Sequence, residues 1–298
     1  MIKRMNSKIK LSIAIITYNR PKELKRAVES CLSEERNDME LVIWDNNSDA
    51  GNKTEVEHYC SRLKIPNNYF YSETNLGVAG GRNEAWKRCS GEYVFFLDDD
   101  AVVESKDFFT RLIRYMDKYQ EVGAASVNIY EPETGIYHNC THRLKKRDRT
   151  VIWCFVGGAH ILRRSIFALD YLYPANLHFG AEEMYASFWL WNNGYQVNEV
   201  EELTVLHLPG LTNVSRCVGK ERDKNFLVNQ FIIKSLVYPN ILKPFTYLAF
   251  RIKLKKHLIT YGQCKKMIEE RKKTDSGFKI SSSCLFKLVH MFGIKPLI

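Results

Sequence analysis

The chain has 298 residues, 45% apolar and 26% charged, with a net charge of +10. That suits one large α/β domain, or one domain with an appendage, and excludes global disorder. The eight cysteines (31, 60, 89, 140, 154, 217, 264 and 284) form no Cys-x-x-Cys pair, which excludes a zinc ribbon or a thioredoxin-type motif and leaves free thiols in a reducing cytosol as the expectation.

The charge is uneven. From Leu236 to the end there are 13 Lys+Arg and 3 Asp+Glu, while the first 235 residues hold 31 of each. The whole excess therefore lies in the last fifth of the chain, as expected of a basic segment with a surface of its own to meet. Met1 to Lys8 is basic but carries no small-residue cleavage site, so no signal peptide is expected. No apolar run approaches the ~20 residues that span a bilayer. The expected location is the cytoplasm, with peripheral attachment to the inner face of a membrane as an open option.

Leu11 to Ile16 is a near-continuous apolar run, the pattern of a strand buried on both faces of a parallel sheet. Thr17-Tyr18-Asn19-Arg20 is a turn, and Pro21 suits the first position of the helix that carries Leu24, Ala27, Val28, Cys31 and Leu32. A second strand, Glu40 to Asp45, ends in Asp45-Asn46-Asn47-Ser48. A helix over about Thr54 to Leu63 and a short strand at Tyr69-Phe70-Tyr71 follow. Asn75-Leu76-Gly77-Val78-Ala79-Gly80-Gly81-Arg82-Asn83 is neither Gly-x-Gly-x-x-Gly nor a Walker loop, so it supports neither a dinucleotide fold nor an ATPase. Its glycines suit close backbone approach to a ligand or the turn into a helix. Arg82 suits a phosphate or an exposed helix face.

Tyr93 to Leu97 is an apolar strand that ends in three carboxylates, Asp98-Asp99-Asp100. With no basic residue beside them in sequence they repel one another, and oxygen ligands suit a hard cation such as Mg²⁺ or Mn²⁺. The bland reading is an acidic turn. Up to this point the pattern alternates strand and helix, which means a parallel sheet with right-handed crossovers and a ligand site at the carboxyl ends of the strands.

An amphipathic helix is expected over Asp107 to Tyr119 and a strand over Val122 to Ile129, then a charged surface loop over residues 131 to 150. Val151 to Val156 reads as a strand, Gly157-Gly158-Ala159-His160 as a turn or a close approach to substrate, and Arg164 as the start of a helix. In the motif from His178 to Trp191, Glu182 and Glu183 occupy the first turn of a helix closed by Gly194. Acidic residues there answer the helix dipole, and a carboxylate there also suits a general base. Trp189 and Trp191 suit core packing or stacking on a sugar ring. Thr204 to His207 is a short strand whose histidine is either structural or a metal ligand.

Taken together, Ile15 to Arg20, Asp45 to Ser48, Asn75 to Asn83, Phe96 to Asp100, Gly157 to Ala159, and Ala181-Glu182-Glu183 through Gly194-Tyr195 resemble glycosyltransferase family 2, over residues 10 to 230. The resemblance implies the GT-A fold and an inverting, metal-dependent transfer from a nucleotide-sugar such as a UDP- or dTDP-sugar. The acceptor would be a glycan or a polyprenyl-linked glycan. By position in the family motifs, Thr17, Tyr18, Arg20 and Asp45 would line the nucleoside site. Asn75 and Arg82 would lie beside the nucleotide, Asp98 would face ribose or base, and Asp99 would stand between it and Asp100. Asp100 would hold Mn²⁺ or Mg²⁺ on the diphosphate, with His207 as a further ligand. Glu183 falls where the family has the Asp of a Glu-Asp pair that supplies the base, with Glu182 as the other candidate. The alternatives are a nucleotidyltransferase, against which stands the missing lysine-bearing glycine loop, and a degenerate member that only binds nucleotide or scaffolds a membrane complex.

The expected division is a catalytic unit over residues 1–235 and a basic amphipathic segment over residues 236–298. In that segment Phe245, Tyr247, Leu248, Phe250, Ile252 and Leu254 interleave with Lys243, Arg251, Lys253, Lys255 and Lys256. Attraction to an anionic membrane surface and helical packing with solvated lysines both fit. Nucleic acid is not an expected partner, since no binding motif accompanies the charge.

Overall fold

A computed structural model describes residues 9–167, 171–177, 180–210, 219–271, 278–294 and 297. The basic start Met1 to Lys8, and His178 and Phe179 at the head of the Glu182-Glu183 motif, lie outside the described residues.

Strand β1 (Leu11–Thr17) leads into helix α1 (Pro21–Leu32), β2 (Met39–Asp45), α2 (Ala50–Cys60), β3 (Asn67–Tyr71), α3 (Gly77–Arg88) and β4 (Tyr93–Asp98). These four strands are parallel, ordered β3-β2-β1-β4. β1 and β2 are buried almost throughout, which explains their unbroken apolar runs. Helix α3 lies close on this sheet. A Cβ at Gly81 would come within 3.0 Å of Ile16 and 3.3 Å of Trp44, so the glycine lets the helix backbone approach the strands.

The second half of the sheet departs from simple alternation. A short β5 (Ala101–Val103) and α4 (Phe108–Lys118) precede the long β6 (Val122–Glu131). The charged stretch over residues 131 to 150, expected as a loop, contains β7 (Ile136–Tyr137), paired to β6, and β8 (Arg143–Lys145), paired to β9 (Thr150–Ile152). The strand expected over Val151 to Val156 stops at Ile152. The buried strand β10 (Ala159–Arg163) begins just after the paired glycines, and the helix expected from Arg164 is a single turn over Arg164–Ile166. β10 inserts antiparallel between β4 and β6. Its apolar signal is short and interrupted by His160, which is buried and held between the Gly157 carbonyl at 3.0 Å and the Tyr173 hydroxyl at 3.1 Å.

Helix α5 (Glu183–Asn192) leads into β11 (Gln196–His207), of which the expected Thr204–His207 strand is the last part. β11 runs parallel to β6, with a bulge between Val200 and Thr204. The whole is a mostly parallel central sheet with helices on both faces, the GT-A architecture. Trp189 and Trp191 are both core residues: Trp189 stacks on Phe167 at 5.0 Å, and the Trp191 indole donates to the Trp153 carbonyl at 2.8 Å.

The chain closes with α6 (Gly219–Val237), α7 (Lys243–Lys256), α8 (Tyr261–Arg271) and α9 (Ser282–Phe292). Residue 235 falls inside α6. Phe250, Leu254, Ile268, Ile280 and Leu288 join the same buried cluster as Tyr185, Phe188 and Trp191 of α5.

Candidate active site

The strand register lines up the polar exits. Thr17 stands opposite Asp45, Asp45 opposite Tyr71, and Ile16 opposite Asp98. Four parallel strands thus deliver their polar ends to one edge, where open α/β sheets bind ligands.

Asp98, Asp99 and Asp100 do not share one environment. Asp99 is buried; it accepts from the Thr17 hydroxyl at 2.9 Å and from Arg20 Nη1 at 3.1 Å. The same Arg20 nitrogen donates to Asp100 Oδ2 at 3.0 Å. Burial pushes the Asp99 carboxyl up to about 7, Asp100 adds to the rise, and Arg20 and the Thr17 hydroxyl oppose it. The other Asp100 oxygen lies 3.5 Å from His207 Nε2. This contact crosses from the end of β4 to the end of β11, where β5 and β11 pair with His207 opposite Ala101.

Asp98 turns the other way. Its Oδ1 accepts from Arg82 Nη2 at 2.9 Å, and that nitrogen also donates to the Gly157 carbonyl at 2.8 Å. Arg82 Nη1 reaches Glu182 at 3.1 Å and Glu183 at 3.3 Å. Arg82, expected beside the nucleotide, is buried, and these donors face carboxylates and a carbonyl. Burial works against its charge, and Asp98, Glu182 and Glu183 more than offset that, so its pKa is raised. Gly157 is required here: a Cβ would collide with the Glu183 carboxylate and come within 2.9 Å of Arg82. The paired glycines therefore make room for an ion pair.

The two glutamates differ. Glu182 precedes the helix and is buried, and its Oε2 has no hydrogen-bond partner among the described residues. Burial pushes its carboxyl up to about 8, the charge of Glu183 pushes the same way, and Arg82 opposes. The Glu183 side chain is 16% exposed. Burial raises its pKa too, against the pull of Arg82. Before them, Gly180 (φ 87°) and Ala181 (φ 68°) make a left-handed turn. Asn229 of α6 donates to the Gly180 carbonyl at 2.6 Å and the Leu177 carbonyl at 3.0 Å, and Arg271 of α8 donates to Asn229.

Asp45 is fully buried and structural in its contacts: it accepts from the Ser48 amide at 2.8 Å and the Tyr69 hydroxyl at 2.7 Å. Asn75 is exposed and accepts from Asn46 and from the Gly77 amide, both at 2.9 Å. Tyr18 is 39% exposed at the same rim. Asn46, read in sequence only as part of the polar exit of β2, ties that exit to the glycine loop, and sequence reasoning missed Glu131 and His138. Glu131 Oε2 lies 2.6 Å from His138 and 3.4 Å from His207. Nothing local marks these two, because their partner His207 is 76 residues from Glu131.

A model described as glycosyl transferase family 2 matches residues 12–169. The chain belongs to this family. Over 116 residues it is 31% identical to the GalNAc(5)-diNAcBac-PP-undecaprenol beta-1,3-glucosyltransferase of Campylobacter jejuni, covering 38% of this chain and 37% of that enzyme. Among solved structures, the Pyrobaculum calidifontis mannosyltransferase PcManGT in complex with GDP-Man and Mn²⁺ superposes with a TM-score of 0.60 at 16% identity, covering 94% of this chain and 75% of that one. GalNAc-T7 with UDP, GalNAc and Mn²⁺ gives 0.61 at 16% identity, over 89% and 57% of the two chains. As a family 2 member the chain is an enzyme that transfers sugars.

The pH dependence of stability follows from Glu182. Its carboxyl is raised from 4.5 to about 8 on folding, so the penalty is absent below pH 4.5 and grows as pH rises towards 8. Glu182→Gln keeps an acceptor for Arg82 and removes the titration. Its melting temperature relative to the wild type should climb between pH 5 and pH 8 (, roughly the interval between the two pKa values). A difference that stays constant with pH in calorimetry would refute this assignment.

Proposed function

We propose that the enzyme moves a sugar, with inversion, from a UDP- or dTDP-sugar to a hydroxyl of a glycan or polyprenyl-linked glycan. The observation that carries this reading is the convergence of Asp98, Glu182 and Glu183 on Arg82 at the carboxyl edge of the sheet, with Glu183 the less buried member of the glutamate pair. The GDP-Man and UDP held by the structural neighbours support a nucleotide-sugar donor, and the undecaprenol-linked substrate in the name of the Campylobacter enzyme supports a lipid-linked acceptor.

Glu183 takes the proton from the acceptor hydroxyl. The oxygen then forms its bond to the anomeric carbon as the bond to the diphosphate breaks on the opposite face. Glu182, its charge disfavoured by burial, anchors Arg82 and leaves Glu183 as the base. Thr17 and Arg20 hold the Asp99-Asp100 turn in place. Asp100 and His207 present a carboxylate and an imidazole 3.5 Å apart, close enough for both to bind one ion, and the mixed donor set suits Mn²⁺ better than Mg²⁺. When bound, such a cation offsets charge on the leaving diphosphate.

The basic segment offers a surface to a membrane that carries such an acceptor. Between Asp223 and Glu269 there are nine Lys and Arg and no acidic residue. α7 buries Thr246, Phe250 and Leu254. Its opposite side exposes Phe245, Leu248 and Ile252, with Ile241 in the preceding turn, each more than half exposed. Arg251, Lys255 and Lys256 are exposed along the same helix. An exposed apolar stripe with basic flanks fits the interface of an anionic bilayer, at about 1 kcal/mol per basic residue near the surface. Among the described residues no helix is long and apolar enough to cross a membrane.

Glu183→Gln should abolish transfer, with turnover down at least about a hundredfold, while donor affinity by calorimetry stays within a factor of about two; near-full activity would refute the base. Asp100→Asn should weaken donor binding in the presence of Mn²⁺ and leave Mn²⁺-free binding unchanged; equal binding in both conditions would refute its metal role.

For the membrane surface, the intact chain should float with vesicles containing phosphatidylglycerol, and far less with phosphatidylcholine alone or at high salt. Phe245→Glu with Leu248→Glu, both at exposed positions, should remove flotation without lowering the melting temperature. Flotation that is indifferent to lipid charge and to these substitutions would refute the surface.

A further inference from the structure

β6 and β11 run parallel, with Leu206 opposite Tyr130, so the strands end together at Glu131 and His207. β7 then folds back on β6, with Tyr137 opposite Tyr130, and the His138 amide donates to the Ile129 carbonyl at 2.8 Å. This hairpin sets His138 Nε2 2.6 Å from Glu131 Oε2. The same oxygen lies 3.4 Å from His207 Nδ1, and His207 Nε2 lies 3.5 Å from Asp100 Oδ1. Each nitrogen of one imidazole therefore faces a different carboxylate.

A neutral imidazole carries one N–H and one lone pair, and the partner of one nitrogen decides which is which. A proton on Nδ1 donated to Glu131 leaves the Nε2 lone pair pointing at Asp100. We infer that Glu131, held by His138, is a positioning residue that fixes His207 in the tautomer and orientation needed to bind a divalent cation together with Asp100. Carboxylates behind ligating histidines act in this way, and their loss costs about 10- to 100-fold in metal affinity. The inference rests on the reading of Asp100 and His207 as the metal pair.

A competing arrangement is incompatible with the first. Ligand atoms of Glu131, His138 and His207 lie within 4.8 Å of one another, so the three can themselves gather round an ion. That ion would bind His207 through Nδ1, which moves the proton to Nε2 and takes the lone pair away from Asp100. The two arrangements thus predict opposite tautomers and different sensitivity to Asp100.

Mn²⁺ binding by electron paramagnetic resonance on the full chain with UDP separates them, with metal-free melting temperature as the folding control. Asp100→Asn and His207→Ala should weaken Mn²⁺ binding strongly. Glu131→Ala should weaken it about 10- to 100-fold, and Glu131→Gln, whose carbonyl still accepts from Nδ1–H, should recover most of it. His138→Ala should give a smaller loss. In the metal-free protein, two-bond proton–nitrogen correlations should show His207 as the Nδ1–H tautomer, lost in Glu131→Ala. If Asp100→Asn and His207→Ala bind Mn²⁺ normally, the metal pair itself falls, and the inference with it. If those two weaken binding while Glu131→Ala binds as the wild type, the positioning role alone is overturned. If Asp100→Asn has no effect while Glu131→Ala, Glu131→Gln and His138→Ala abolish binding, the ion sits among Glu131, His138 and His207, and the positioning role is again overturned.

Discussion

Five carboxylates at one edge of a sheet must be compensated, and the way this is done shapes the whole site. Asp98, Asp99, Asp100, Glu182 and Glu183 all converge there, and two guanidiniums answer them. Arg20 bridges Asp99 and Asp100, while Arg82 bridges Asp98, Glu182 and Glu183. Removing one partner of such buried clusters leaves an uncompensated charge and typically costs about 3–5 kcal/mol. Both arginines follow directly from the fold: Arg20 ends the turn after β1, and Arg82 sits in the second turn of α3, held against the strands by Gly81. The local absence of a base beside Asp98 to Asp100 is thus made good from 79 and 16 residues away.

The first 100 residues were legible in sequence because each element there is local. Buried parallel strands read as apolar runs, and polar exits after β1, β2 and β4 announce the edge that matters. Legibility ended where the pairing became long-range. β10 is five residues long and antiparallel, and its strand character comes from insertion between β4 and β6 rather than from a period. The stretch from 131 to 150 is polar because β7 and β8 lie at the margin of the sheet, and charge alone does not distinguish such strands from a loop. Side-chain direction was illegible for the same reason. Family position put Arg82 beside a nucleotide; its turn toward the glutamates depends on the opening left by Gly157, 75 residues away, which no local pattern shows.

The C-terminal helices are coupled to this chemistry as well as to the basic surface. Asn229 of α6 fixes the left-handed turn at Gly180, two residues before Glu182, and Arg271 of α8 fixes Asn229. Tyr185 and Trp191 of α5 pack edge-on against Phe278 and Phe292, with ring centroids 5.1 Å and 5.9 Å apart. α5 begins at Glu183, so its first turn is held from both sides: by Arg82 of α3 in front and by the C-terminal segment behind. The segment that bears the charge asymmetry is therefore also part of the wall behind the glutamates.

Three adjacent aspartates take three directions because the chain turns as β4 ends. The Asp98 amide still donates to the Gly158 carbonyl at 3.0 Å, so Asp98 keeps the orientation of the strand and points toward α3 and Arg82. The Asp100 carbonyl accepts from the Leu208 amide at 2.9 Å, so by that residue the chain is docked on the exit of β11. Asp99, between them, is left to face β1, where Thr17 and Arg20 receive it. A backbone that passes from one strand partner to another within three residues thereby divides one acidic run between two clusters. The cluster with Asp100 and His207 has a carboxylate and an imidazole side by side, and the cluster with Asp98 holds the proposed base. Keeping them apart matters chemically. A cation placed directly on Glu183 would hold its carboxylate in the ionised form but tie up the lone pairs that the proposed base needs to accept a proton. Arg82 instead counters the rise that burial gives the Glu183 carboxyl, through a single guanidinium nitrogen 3.3 Å from Oε1.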